Sequence, residues 1–460
     1  MKMLNSILCL AIATHCWAED NIYKETAFSS NENAVMELPV ICENSEARRH
    51  LNLGLQNCIL NYPEKAEYHF QSAITADSSC LMAHVGMLMV SPAGSAAYKS
   101  HLTIVNQLIE TAVLTPIEEW YLSVLLQYIS GDLHGAATAF KQRASIYRRD
   151  MMASCWDILL NHYAAEQGDD ITIRADKLVD KYPENPIVHY LRALLDEYIP
   201  VPTENGLSSA VKCSELLPEC PNVHLLSGHL LMRSGNHNDA LKHFGNAQKA
   251  SQKDLSTISA ALTGPYCTAV LAEICTTWQL GNKMEALQKC SELLKKRKEQ
   301  SEDAGDASIL MQWEAGTLPL RLLVLQTSAP GGAAINAAAA ACAAPQGTPL
   351  LHVQNCLVEA IRTRSLADSG RTSSASLTLS KAEQHLKLLL KQKDEIIRTA
   401  GLTLSCYNRA VRACQGAICR AKLALYKDSQ SIWQPHLDEV TSMPEPRFLP
   451  PVLPSCETTR

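Results

Sequence analysis

The sequence lacks the features that mark several common protein classes. It has no broad basic stripe and carries a formal net charge of −6. Nucleic acid is therefore not expected as the main partner, because phosphate backbones are held by clustered Lys and Arg. Charged residues make up only 19 % of the 460, against 47 % hydrophobic, which excludes wholesale disorder. Beyond the first twenty residues no run reaches the ~18 apolar residues that a spanning helix needs, so no transmembrane segment is expected. H-E-x-x-H, P-loop and G-x-S-x-G patterns are absent, and with them the chemistry those spacings support. No stretch alternates apolar and polar residues between turn residues, so no sheet is expected.

What is present at the N-terminus reads as an export signal. Lys2 precedes an apolar run from Leu4 to Ala13, and Cys16-Trp17-Ala18 ends on a small residue before Glu19-Asp20. This pattern predicts a signal peptide over 1–18, cleaved after Ala18, and a periplasmic or extracellular protein. Leu8 and His15 are bulky where a lipoprotein signal wants a small residue. Residues 19–46 then form an N-terminal segment before the first helix.

Of the 17 cysteines, 15 remain once Cys9 and Cys16 are removed with the signal. None of these stands in a C-x-x-C, which counts against structural zinc and thioredoxin-type chemistry. An oxidising compartment permits disulfides. Cys213–Cys220 becomes possible if Pro218 breaks the helix between them, and Cys414–Cys419 if Gln415-Gly416 is a turn. Cys275–Cys290 would join two helices of one hairpin, with Cys267 as a rival partner for Cys290.

The organising feature is a repeat. Gly228, Gly235, Ala240, Phe244 and Ala247 are separated by 7, 5, 4 and 3 residues, and Gly54, Asn61, Ala66, Phe70 and Ala73 by the same steps. Gly131, Ala136 and Phe140, preceded by Trp120, form a third window, and Gly281, Ala286, Cys290 and Leu293 a fourth. Each window predicts a helical hairpin. A small residue admits the neighbouring helix, Gly or Asn takes the turn where φ is positive, and the Ala-Phe-Ala triplet lies on one helix face. Ala66 to Ala136 spans 70 residues, two units of 34 plus two. Degenerate hairpins fill 81–114, 151–184 (with a turn at Gly168-Asp169-Asp170) and 187–220, giving seven hairpins within 47–300.

These windows resemble the tetratricopeptide repeat (TPR) family, whose unit is 34 residues. Asn52-Leu53-Gly54-Leu55, Phe70-Gln71-Ser72-Ala73 and the Gly228-to-Ala247 segment are similar to a bacterial group of exported proteins built of such repeats throughout. That group tends to carry His-rich stretches where this chain has His189-Tyr190-Leu191-Arg192 and His224 to His229; Arg192 and Leu226 depart from the pattern. The resemblance implies an all-α fold, a right-handed superhelix of stacked helix pairs, whose first helices line a concave groove for a protein or peptide. Asn57, Tyr121, Gln127, Tyr128 and Leu231 are the candidate partner contacts.

Past residue 300 the repeat fades into a helical C-terminal region, 301–427. A helix over 306–327 with a break near Pro319, and an Ala/Gly linker at 328–349, are expected there. Ala382, Leu386, Leu389 and Leu390 supply an apolar helix face. Residues 428–460 hold six prolines and read as an extended tail.

Other chemistry is weighed and set aside. His224 and His229 are five apart, and His237 and His243 six apart. Neither spacing puts two ligands on one helix face, so no metal, cofactor or catalytic residue is expected. Ser209-Ala210-Val211-Lys212 matches S-x-x-K without the K-T-G that accompanies it in serine acyl-transferases. Lys295 to Lys298 is a basic cluster at an expected helix C-terminus, where cations are favoured. The function expected is an exported scaffold that binds a protein or peptide. The alternatives are a structural subunit of an envelope assembly, or a helical hydrolase or metalloenzyme.

Overall fold

Caps set where the helices begin. Asn44 accepts from the backbone N–H groups of Glu46 and Ala47 and opens α1, Ser45–Ile59. Thr115 and Glu118 form a reciprocal capping box at the start of α5, Pro116–Ile129. Asp132 and Asp150 cap α6, Leu133–Ile146, and α7, Met151–Tyr163. Each such cap satisfies an amide the helix leaves unpaired and contributes ~1 kcal/mol. The computed structural model describes residues 38, 44–91, 94–164, 169–198, 201–253, 265–282, 284–286, 288–289, 292–293, 351–393 and 404–442. The expected signal peptide, the helix at 306–327, the linker at 328–349, Gly168, Cys290 and Lys295 to Lys298 lie outside these residues.

The chain divides into two compact units, Met1–Leu195 and Asp196–Arg460. The first unit contains α1, α2 (Pro63–Ala76), α3 (Leu81–Val90), α4 (Ala96–Thr111), α5, α6, α7, α8 (Asp169–Lys181) and α9 (Pro186–Leu195). The second contains a short 3-10 turn, Asp196–Tyr198, then α10 (Glu204–Leu216), α11 (Pro221–Arg233), α12 (His237–Lys253) and α13 (Pro265–Gln279). After a gap in the described residues come α14 (Leu351–Asp368), α15 (Thr372–Lys391), α16 (Leu404–Leu425) and α17 (Gln430–Ser442). The described residues are all-α, with no strand among them. The two helices of the fifth expected hairpin, α9 and α10, fall in different units.

Within each unit the helices pair into hairpins that pack on neighbouring hairpins, as in a TPR-like solenoid. In the first unit α1 packs on α2, α2 on α3, and α3 on α4, while the first helices α1 and α3, and α3 and α5, also touch. In the second unit α11 and α12 form one hairpin against α13, and α14 to α17 form a further packed group. The expected turns are present. Asn61 takes φ 53 and Gly131 φ 93, and Gly235 and Gly281 are also positive.

The backbone closes each turn in the same way. The N–H two residues past the C-cap bonds back five residues, as Tyr62 to Asn57, Asp132 to Gln127, Asn236 to Leu231 and Asn282 to Thr277. This is the Schellman closure, and it requires a positive φ at the intervening residue.

The seam between hairpins explains the glycines. A side chain at Gly54 or at Gly86 would overlap the Phe70 ring, and one at Gly228 would overlap Phe244. Phe70 is thus wedged between the first helix of its own hairpin and the first helix of the next. In the third hairpin the same space is filled by aromatics. Phe140 stacks on Trp156 of α7 at 5.9 Å and 20°, and meets Trp120 edge-on at 5.3 Å.

Two readings of the C-terminal region are corrected. Residues 430–442, expected to be extended, form α17 with Pro435 inside it. Packing against α16, where Lys422 sits 4.1 Å over the Trp433 ring, outweighs the one hydrogen bond that Pro435 removes. On α15, Ala382 and Leu389 are fully buried and Leu386 packs against the core they belong to, but Leu390 is half exposed. The α14–α15 hairpin also repeats the register found earlier. Thr363, Gly370, Ala375, Leu379 and Ala382 follow the 7, 5, 4, 3 steps. The N–H of Arg371 bonds back to Leu366 around Gly370 at φ 75.

Candidate functional site

Three of the five candidate partner contacts, Asn57, Gln127 and Leu231, occupy equivalent places on first helices, and that place is structural. The carbonyls of Asn57, Gln127 and Leu231 all accept the turn-closing amide described above. The Asn57 side chain donates to Leu53 of its own helix at 2.8 Å, and the Gln127 amide donates to Asp132 at 2.7 Å. The N–H of Gly135, and after it this Gln127 contact, hold the Asp132 carboxyl below its ordinary pKa.

Tyr121 and Leu231 are not surface contacts, which corrects the sequence reading. Leu231 belongs to the apolar cluster around Phe244. Tyr121 is fully buried, and its hydroxyl donates to Asp150 at 2.6 Å. Arg143 Nε bonds the other oxygen of Asp150 at 2.7 Å, and its guanidinium lies over Trp120, Tyr121 and Tyr147. Asp150 therefore joins α5, α6 and α7 through one buried carboxylate.

The inner face of the first unit is partly filled by its own residues. Helices α1 and α7 touch although two whole hairpins, α3–α4 and α5–α6, lie between theirs in the chain. Tyr128 packs 5.9 Å from Trp156. Burial, and after it the Cys58 thiol, push the Tyr128 phenol up, and burial pushes Cys58 to about 12. What remains half exposed is a matched row. Leu53, Gln56 and Asn57 on α1 correspond to Ser123, Leu126 and Gln127 on α5, 70 residues later.

The other candidates resolve as follows. Cys213 and Cys220 are thiols, not a disulfide; α10 runs to Leu216, and burial, with Cys220 after it, raises the Cys213 thiol. The expected turn at Gln415-Gly416 does not exist. Both Cys414 and Cys419 lie on the unbroken α16, five residues apart, a rise of ~7.5 Å that no disulfide spans. Cys414 pairs instead with Cys356 of α14, and that hydrogen bond together with burial raises its thiol well above the usual range. Cys275 is a buried thiol of α13, and its proposed partner Cys290 lies outside the described residues. Ser209 is buried in α10, away from any surface chemistry.

Sequence reasoning missed four histidine pairs. In each, one ring comes from the first helix of a hairpin and the other from the second helix, with the two Nδ1 atoms facing. His50 and His69 stand 3.0 Å apart, His84 and His101 3.0 Å, His224 and His243 3.3 Å, and His352 and His385 3.2 Å. Burial lowers the second ring in each pair, with its partner histidine the next cause, to about 4 for His69 and His243. The signal was legible only across helices: His50, His84 and His224 share one register on the first helices α1, α3 and α11.

No family model matches the chain, and no curated protein matches it. Among solved structures, one described as "Human IFIT1 dimer with m7Gppp-AAAA" aligns over 89 % of this chain and 91 % of that one. Identity is 12 % and the TM-score 0.32, a level at which no residue of that protein can be carried over to this one.

Proposed function

We propose that this chain is an exported TPR-type scaffold that binds a protein or peptide partner on the first-helix face of its hairpins. It extends the resemblance to the bacterial group of exported whole-chain repeat proteins. One observation carries it: Leu53, Gln56 and Asn57 recur as Ser123, Leu126 and Gln127 in the same half-exposed register. The buried side chains around them are committed to packing. Rigid stacking makes such a row a preformed surface, which lowers the ordering cost of binding. The negative formal charge of the chain favours a protein partner over a nucleic acid.

The test places a photo-crosslinking residue at Gln56 and at Leu126 in the tagged mature chain within its own envelope. One shared partner, captured at both positions and lost on Leu126→Lys, supports the reading. Capture of nothing, or of unrelated proteins insensitive to Leu126→Lys, overturns it. Export is tested separately by sequencing the N-terminus of the secreted chain, expected to begin at Glu19.

A further inference from the structure

We propose that His84 with His101, and His224 with His243, are bidentate imidazole sites for a late first-row transition-metal ion such as Cu²⁺, Ni²⁺ or Zn²⁺. The inference is independent of the partner-binding reading. It rests on geometry that the two pairs share and that the His50–His69 pair does not.

In both pairs the first-helix ring is fixed by a backbone carbonyl six residues earlier. His84 Nε2 donates to Ser78 at 3.2 Å, and His224 Nε2 donates to Pro218 at 3.0 Å. With the proton held on Nε2, the Nδ1 lone pair faces the partner ring. A carbonyl fixing the distal nitrogen is the arrangement that orients metal-bound histidines and raises their basicity. The partner Nδ1 stands 3.0 Å away in the first pair and 3.3 Å in the second. Two nitrogens bound at 2.0–2.1 Å to a tetrahedral ion stand ~3.3 Å apart, so the spacing of the nitrogens already suits an ion once each ring turns its lone pair toward it. The second-helix ring passes its proton from Nδ1 to Nε2 through solvent, and the neutral pair releases no net proton.

The surroundings rank the pairs. Around His224 and His243, Glu219 and Asp239 favour positive charge, against Lys242 alone. His101 feels only His84. His50 differs, because the Arg49 guanidinium lies 3.3 Å from its Nε2 and donates there. That fixes the proton on His50 Nδ1, and Arg49 and Lys65 both oppose a cation. Each pair supplies two ligands. No group of three His, Cys, Asp or Glu able to hold a metal occurs among the described residues, so water fills the remaining positions. Imidazole ligands suit Cu²⁺ most tightly within this series.

The test is equilibrium dialysis of the full mature chain, stripped of metal, against submillimolar Ni²⁺. Two ions per chain are expected to depend on these histidines. His101→Asn and His243→Asn should each lose one, the double variant both, and His69→Asn none. Equal uptake by wild type and double variant, or no uptake by wild type, overturns the proposal and leaves the pairs as N–H···N bridges. Should a variant unfold, carbethoxylation of wild type decides. Ni²⁺ should protect His101 and His243 but not His69, and absence of that protection also overturns it.

Discussion

The α1–α2 and α14–α15 hairpins keep one register and fill it differently. In the first, Gly54 makes room for Phe70, which fills the seam. In the second, Thr363 stands where Gly54 does and donates to Thr378 at 2.9 Å, and the smaller Leu379 stands where Phe70 does. Bulk removed from one side of the interface is restored on the other, so total volume is held while shape changes. The invariant element is the small-residue face of the second helix, Ala66 and Ala73 in one hairpin and Ala375 and Ala382 in the other, all fully buried.

The comparison can be broken most severely from outside both hairpins. Asp150→Ala leaves Arg143, itself 8 % exposed, as a buried charge without its carboxylate. The expected cost is ~3–5 kcal/mol in urea unfolding, showing that the third hairpin depends on a polar anchor the other two lack. Phe70→Ala should cost about 3–5 kcal/mol, and Leu379→Ala about 2–5. In the Phe70→Ala background, Gly54→Ala should be less harmful than in wild type, whereas Thr363 offers no such coupling to Leu379. Gly54→Val alone should cost ~1–3 kcal/mol by overpacking. Thr363→Val should cost only about 1 kcal/mol, the net value of its hydrogen bond.

The smallest effect is on pH dependence. His69 has a native pKa of about 4 against 6.5 for an ordinary histidine, so the unfolded chain binds the extra proton first. This stability is fully present above pH 6.5 and is lost as pH falls from 6.5 through 4. Solvent screening at the half-exposed ring keeps it to ~1 kcal/mol or less, a melting shift of about 2–4 °C. His69→Gln should flatten the melting temperature across that window; an unchanged slope would exclude this ring as its source.

Legibility in the sequence followed how local each constraint is. The turns at Gly131 and Gly235 could be read because a positive φ restricts residue choice at a single position. Ala66, Phe70 and Ala73 could be read because one helix period places them together. Helices were expected at 350–366 and 376–393, but α14–α15 was not recognised as a unit of the repeat because its register carries Thr and Leu where the pattern sought Gly and Phe. Tyr121 and Leu231 were misplaced because their burial depends on a neighbouring helix. The histidine pairs were invisible for the same reason: His224 and His243 lie on different helices and meet only when the hairpin closes. Pro435 misled because packing against α16 overrides its local preference.

The turn closure has one more consequence. Amide groups, which every residue type except proline carries in full, bind Asn57, Gln127, Leu231, Thr277 and Leu366 into their loops. The closure itself therefore makes no demand on what projects from those five sites, and the side chains of Leu231, Thr277 and Leu366 are constrained instead by their burial. Mutation can try polar, aliphatic or hydroxyl groups at that station, as Asn, Gln, Leu and Thr already show, while the loop beneath stays closed.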